Sequence, residues 1–126
     1  MSRARIFCVD DDLITLGFLA DVLGEQHEVS VCSKPQRAVE QALALKPDLI
    51  LLDIYMPTLG GEGLLASFKS NEELAQLPVL IFTANADTTD LIALLQHGIR
   101  GLIEKPVDPQ VLLQKVAYVL EHPDYV

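Results

Sequence analysis

Residues 48–57 read Asp48-Leu49-Ile50-Leu51-Leu52-Asp53-Ile54-Tyr55-Met56-Pro57, and the reading of the aliphatic run at 49–52 decides the fold. A strand with one wet face alternates apolar with polar residues. This run does not alternate, and it is short and bounded by aspartates, which suits a strand covered on both faces in a parallel sheet. Val79-Leu80-Ile81-Phe82 repeats the pattern. Working outward, the strand candidates are Arg5 to Asp10, Glu28 to Ser33, Asp48 to Asp53, Pro78 to Thr83 and Gly101 to Glu104.

Helical spacing fills the intervals. Leu16, Leu19, Ala20 and Leu23 lie on one face of the first, and Ala38, Val39, Ala42 and Leu43 on one face of the second, entered by Ser33 and Pro35 and left at Lys46-Pro47. A third helix is predicted from about Gly61 to Glu72. A fourth runs from about Asp87 to His97, with Gly98 placed to end it. The last opens on Asp108-Pro109, an N-cap followed by a first-turn proline, and presents Val111, Leu112, Val116 and Val119 before His122-Pro123. Five β–α units with short connections form an open, doubly wound α/β sheet rather than a barrel, which takes about eight. At 126 residues the chain reads as one domain, 1–126, with a core of about 5–121 and a short tail at 122–126.

In such sheets ligands gather outside the carboxyl ends of the strands. Those ends carry Asp10-Asp11-Asp12, Asp53, Thr83 and Lys105. Carboxylates drawn into one crevice repel one another unless a cation or proton offsets them. The donors are oxygens, with no histidine or cysteine adjoining them in sequence, so Mg²⁺ fits better than zinc. A carboxylate near a metal, a hydroxyl and an ammonium is equipped for phosphoryl transfer. Asp53 would be the nucleophile, Lys105 and the metal would neutralise the transferring group, and Thr83 would hydrogen-bond a phosphate oxygen.

Val9-Asp10-Asp11, Asp53-Ile54-Tyr55-Met56-Pro57, Thr83-Ala84 and Lys105-Pro106 together resemble the signature segments of the response regulator receiver domain, in order and spacing, over Arg5 to about Glu121. The resemblance implies a flavodoxin-like (βα)₅ sandwich with strand order 2-1-3-4-5 and helices on both faces. It makes Asp53 the phosphoacceptor, Asp11 a direct metal ligand, Asp10 a ligand acting largely through water, and the Tyr55 backbone carbonyl a further ligand. Thr83 becomes the switch hydroxyl, Ala84 a small residue whose backbone meets the phosphate, and Lys105 the phosphate's ion-pair partner, with a cis Lys105-Pro106 bond. Gly61 matches the glycine after the phosphorylation loop.

The implied function is that of a two-component phosphorelay receiver: a histidine kinase or histidine phosphotransfer protein donates, Mg²⁺ assists with Mn²⁺ able to substitute, and a partner-binding face changes. That face is expected around residues 87–97, the fifth strand and the last helix. Downstream stands a protein target or output domain, with a phosphorylation-dependent homodimer as one further form. The chain would assist its own phosphorylation and dephosphorylation and would not be an enzyme with a separate small-molecule substrate. One departure bears on the switch. Leu102 stands where relatives often carry an inward-turning Tyr or Phe, so the signal is expected to pass through the backbone after Thr83. Tyr55 and Asn85 flank the pocket, where their size would set the lifetime of the phosphoryl group.

Rival readings lack their markers. A haloacid-dehalogenase-like phosphatase would need an aspartate two residues after Asp53, where Tyr55 stands. A flavin carrier would offer hydroxyls and glycines in the first loop rather than three aspartates. A phosphorylation-independent pseudo-receiver, used only for protein binding, is the remaining alternative. Asp12 reads as an N-cap rather than a ligand. Cys8 and Cys32 read as buried free thiols, and the dispersed His27, His97 and His122 as surface or helix-end residues. A net charge of −9 without a basic cluster argues against direct nucleic-acid binding. The absence of a signal peptide or long apolar span makes a cytoplasmic location the expectation.

Overall fold

The computed structural model describes residues 3–54, 61–84, 94, 96 and 98–122. Five strands, β1 (Arg5–Val9), β2 (Glu28–Cys32), β3 (Leu49–Leu52), β4 (Val79–Thr83) and β5 (Gly101–Glu104), form one sheet. Its order is β2-β1-β3-β4-β5, every neighbouring pair is parallel, and this is the doubly wound order implied by the resemblance. The helices are α1 (Leu13–Leu23), α2 (Ala38–Leu45), α3 (Gly61–Ser70) and α4 (Pro109–Glu121). A 3₁₀ turn at Pro35–Arg37 precedes α2. Of the helix expected over 87–97, Leu94 and Gln96 are helical and the rest lies outside the described residues; Gly98 follows with φ +79°, the left-handed conformation that ends a helix.

The non-alternating runs are explained by two cores, one on each face. Phe7, Val9, Ile50, Leu52, Val79 and Ile81 point to one side, where Ala38 and Ala42 of α2 and Leu64, Leu65 and Phe68 of α3 cover them. Their neighbours Ile6, Cys8, Leu49, Leu51, Leu80 and Phe82 point to the other side, toward Leu16, Leu19 and Leu23 of α1 and Leu112, Val116 and Val119 of α4. Every residue of β3 and β4 is buried as a result. Cys8 and Cys32 are buried free thiols in opposite cores, so the sheet itself keeps them apart. Burial, then the charge of Asp10, pushes the Cys8 thiol up to about 12, which leaves it unreactive.

The caps follow the sequence. The Asp12 side chain accepts from the Ile14 amide at 3.0 Å and from the Thr15 hydroxyl at 2.9 Å. Asp108 accepts from the Gln110 amide at 2.7 Å, with Pro109 in the first turn. Two expectations are corrected. Val111 is 40% exposed, because Leu112, Val116 and Val119 already fill the stripe of α4 that faces the sheet. His27 is half-buried rather than fully at the surface: both ring nitrogens are shielded from solvent and have no hydrogen-bond partner among the described residues.

Leu51→Ala is expected to lower the unfolding free energy by about 2–5 kcal/mol. Ile14→Ala, at an 84% exposed side chain, should stay within about 0.5 kcal/mol in the same urea denaturation. Burial, then the charge of Arg3, holds the His27 pKa below its usual 6.5. The folded state therefore prefers the neutral ring; the unfolded chain takes up the proton first, and stability falls as the pH drops below 6.5 toward the lowered folded value. His27→Gln should flatten that limb in urea midpoints measured between about pH 7.5 and 5.5.

Candidate functional site

The carboxyl edge of the sheet is built by its last hydrogen bonds. Asp10 follows β1 and gives its amide to the Cys32 carbonyl at 3.1 Å, while Asp53 follows β3 and gives its amide to the Val9 carbonyl at 2.9 Å. Lys105 follows β5 and gives its amide to the Thr83 carbonyl at 2.8 Å. Each side chain thus starts from a backbone fixed by the neighbouring strand. Parallel strands in register bring residues 43 to 95 positions apart to one rim.

Carboxylate oxygens of Asp10, Asp11 and Asp53 lie within 4.8 Å of one another. Asp10 and Asp53 are buried and Asp11 is exposed, so the cluster opens toward solvent on the Asp11 side. The Lys105 ammonium lies 2.7 Å from Asp10 Oδ2 and 3.4 Å from Asp53 Oδ2. Asp10 Oδ1 accepts the Asp12 amide at 2.9 Å, so both Asp10 oxygens are engaged. Burial alone would lower the Lys105 pKa; the hydrogen bond and charge of Asp10, joined by Asp53, outweigh it and raise the pKa above the usual 10.5. The ammonium also sits 5.3 Å from the centre of the Phe82 ring. Thr83 is wholly buried and Ala84 exposed at the end of β4.

The structure therefore brings together Asp10, Asp11, Asp53 and Lys105, with Thr83 and Ala84 on the adjoining strand end. The Lys105-Pro106 bond is cis, as the resemblance implied. Tyr55 and Asn85 lie outside the described residues. Leu102 is partly buried against the core that contains Phe68 and Leu94. The tight Lys105–Asp10 pair has no sequence signal, because residues 95 apart reveal their contact only once the strand order is known.

Three oxygen-bearing side chains, two of them buried, fit a hard divalent cation such as Mg²⁺, which takes one or two carboxylates and keeps several waters. Since both Asp10 oxygens are already bonded, a contact through water suits Asp10, and direct ligation suits Asp11 and Asp53.

The profile of the response regulator receiver domain matches residues 6–117. Among curated proteins, hybrid signal transduction histidine kinase D of Dictyostelium discoideum is 29% identical over 119 residues, 94% of this chain and 8% of its own length. The DNA-binding response regulator MtrA of Mycolicibacterium paratuberculosis is 32% identical over 123 residues, 97% of this chain and 53% of its own length. The chain thus spans about half or less of these relatives. A solved CheY-like receiver domain protein from Methanospirillum hungatei superposes with a TM-score of 0.89 at 27% identity, covering 98% of both chains. Among the described residues no helix is long and apolar enough to cross a membrane.

In the presence of a chelator, Lys105→Met should destabilise the fold by about 3 kcal/mol, because it strands buried Asp10 beside Asp53 without a counter-charge. Adding Asp10→Asn should recover part of that loss. A double-mutant cycle by urea denaturation measures the coupling, and strict additivity would show that the pair does not interact.

Proposed function

Because the chain belongs to the response regulator receiver family, matched over residues 6–117, we propose that it accepts a phosphoryl group on Asp53 from a histidine kinase or phosphotransfer protein, assisted by Mg²⁺. The observation that carries this reading is the convergence of Asp10, Asp11 and Asp53 oxygens within 4.8 Å, with the Lys105 ammonium 3.4 Å from Asp53. An Asp53 oxygen attacks phosphorus and the donor's P–N bond breaks. Its electron pair stays on the imidazole nitrogen, which takes a proton from water. The buried position of Asp53, at 5% exposure, protects the resulting acyl phosphate from hydrolysis.

Lys105 then turns from Asp10 toward the phosphoryl oxygens, and the Thr83 hydroxyl and the Ala84 backbone meet the same group. This pulls on the strand end of β4 and on the chain after it. With Leu102 in place of an aromatic, that backbone movement carries the signal to a partner, either a separate protein or a domain on the same chain. A Mg²⁺ bound there, or Mn²⁺ in its place, would supply charge neutralisation at the transferring group; Asp11 and Asp53 would hold it directly and Asp10 through water, with the Tyr55 carbonyl as the further ligand that the resemblance implies. The chain acts on itself rather than turning over a separate substrate. Its free, buried thiols suit the reducing cytoplasm.

Incubation with Mg²⁺ and acetyl phosphate, followed by intact mass spectrometry, is expected to show one phosphoryl adduct. The adduct should vanish in Asp53→Ala and when Mg²⁺ is chelated. A wild-type protein that binds Mg²⁺ and forms no adduct would instead favour a phosphorylation-independent binding module.

A further inference from the structure

Beside the phosphorylation site, between α1 and the segment after β5, lies a cavity of about 420 Å³. Phe18, Phe82, Val107 and the exposed Ile14 are among its lining. Ala84 and Lys105 line it too, and the Lys105 ammonium lies 3.4 Å from Asp53. Among the described residues of the lining Lys105 alone is charged, in a chain with 18 acidic residues and a net charge of −9. The described lining is therefore mostly apolar, with its one charge beside the reacting carboxylate.

We propose that this cavity receives the apolar acyl portion of small-molecule phosphodonors, so that the protein prefers aromatic acyl phosphates to acetyl phosphate. The inference rests on Asp53 being the phosphoacceptor. A phosphoryl group held by Lys105 and the Ala84 backbone leaves the acyl substituent at the mouth of the cavity. An apolar space of about 150 Å³ already takes a benzene ring, and the volume here is well above that. The methyl group of acetyl phosphate is too small to reach Phe18 or Val107, whereas a phenyl ring buries apolar surface against them and against Phe82. An Asp53 oxygen forms the new O–P bond as the P–O bond to the acyl oxygen breaks. The electron pair leaves with the carboxylate, and charge balances with no proton transferred.

The test compares second-order rates of Asp53 phosphorylation by benzoyl phosphate and acetyl phosphate, both with Mg²⁺, read by intact mass spectrometry. Burial of the ring should favour benzoyl phosphate by about tenfold. Val107→Phe, which puts a larger side chain in the lining and narrows the cavity, should lower the ratio with the acetyl phosphate rate unchanged. Ile14→Ser, at an exposed lining position that leaves the core intact, should lower the ratio and serves if the larger side chain impairs folding. Equal wild-type rates, or a preference that survives both substitutions, would overturn the cavity's role while leaving Asp53 as acceptor. Failure of both donors to label Asp53 would overturn the acceptor reading and this inference together.

Discussion

The site is organised by one ammonium among carboxylates. Asp10 and Asp53 are buried at the carboxyl ends of adjacent strands, and Asp11 stands beside them at the surface. Unopposed, their charges would push the ends of β1 and β3 apart. Lys105 crosses from β5 on the far edge of the sheet and meets Asp10 at 2.7 Å and Asp53 at 3.4 Å. That bridge ties the last strand to the two at the centre and leaves the cluster two positive charges short of neutrality. The remaining negative charge is what makes a divalent ion a fitting guest, and the Lys105 pair is what a phosphoryl group would draw away.

The precision of this arrangement comes from the backbone. The amides of Asp10, Asp53 and Lys105 each complete a ladder to the neighbouring strand, so the sheet places their Cα atoms before any side chain chooses a rotamer. The two cores keep the sheet rigid from both faces. Residues of one strand alternate between them, which is why β3 and β4 can be apolar throughout without exposing a hydrophobic face. The buried polar residues Asp10, Asp53 and Thr83 lie at the rim, where the strands end.

Membership of the receiver family describes the part of the relatives that this chain spans, which is 53% of MtrA and 8% of the hybrid kinase. The same receiver module thus has counterparts in a DNA-binding regulator and in a hybrid kinase. In this chain Leu102 packs against one core and an apolar cavity lies between α1 and the segment after β5, both close to the rim that carries the carboxylates.

Much of this was legible in the amino-acid order. The unbroken aliphatic runs at 49–52 and 79–82 announced covered parallel strands, Asp12 and Asp108 marked helix starts, and the polar residues at strand ends named the site, because each signal is local and depends only on its neighbours in sequence. The strands end a residue short of Asp10, Asp48 and Asp53, whose amides still bond the neighbouring strand, so the boundary depends on hydrogen-bond geometry rather than residue type. Val111 and His27 depart from the expectation because local spacing shows neither how wide a stripe of helix the sheet covers nor which ring atoms are shielded from solvent. The sequence by itself determined the fold class and the chemical groups at the rim. Only the tertiary structure decided that Lys105 pairs more closely with Asp10 than with Asp53, and that a 420 Å³ cavity opens beside them. Both depend on distances between segments far apart along the chain, which no local pattern encodes.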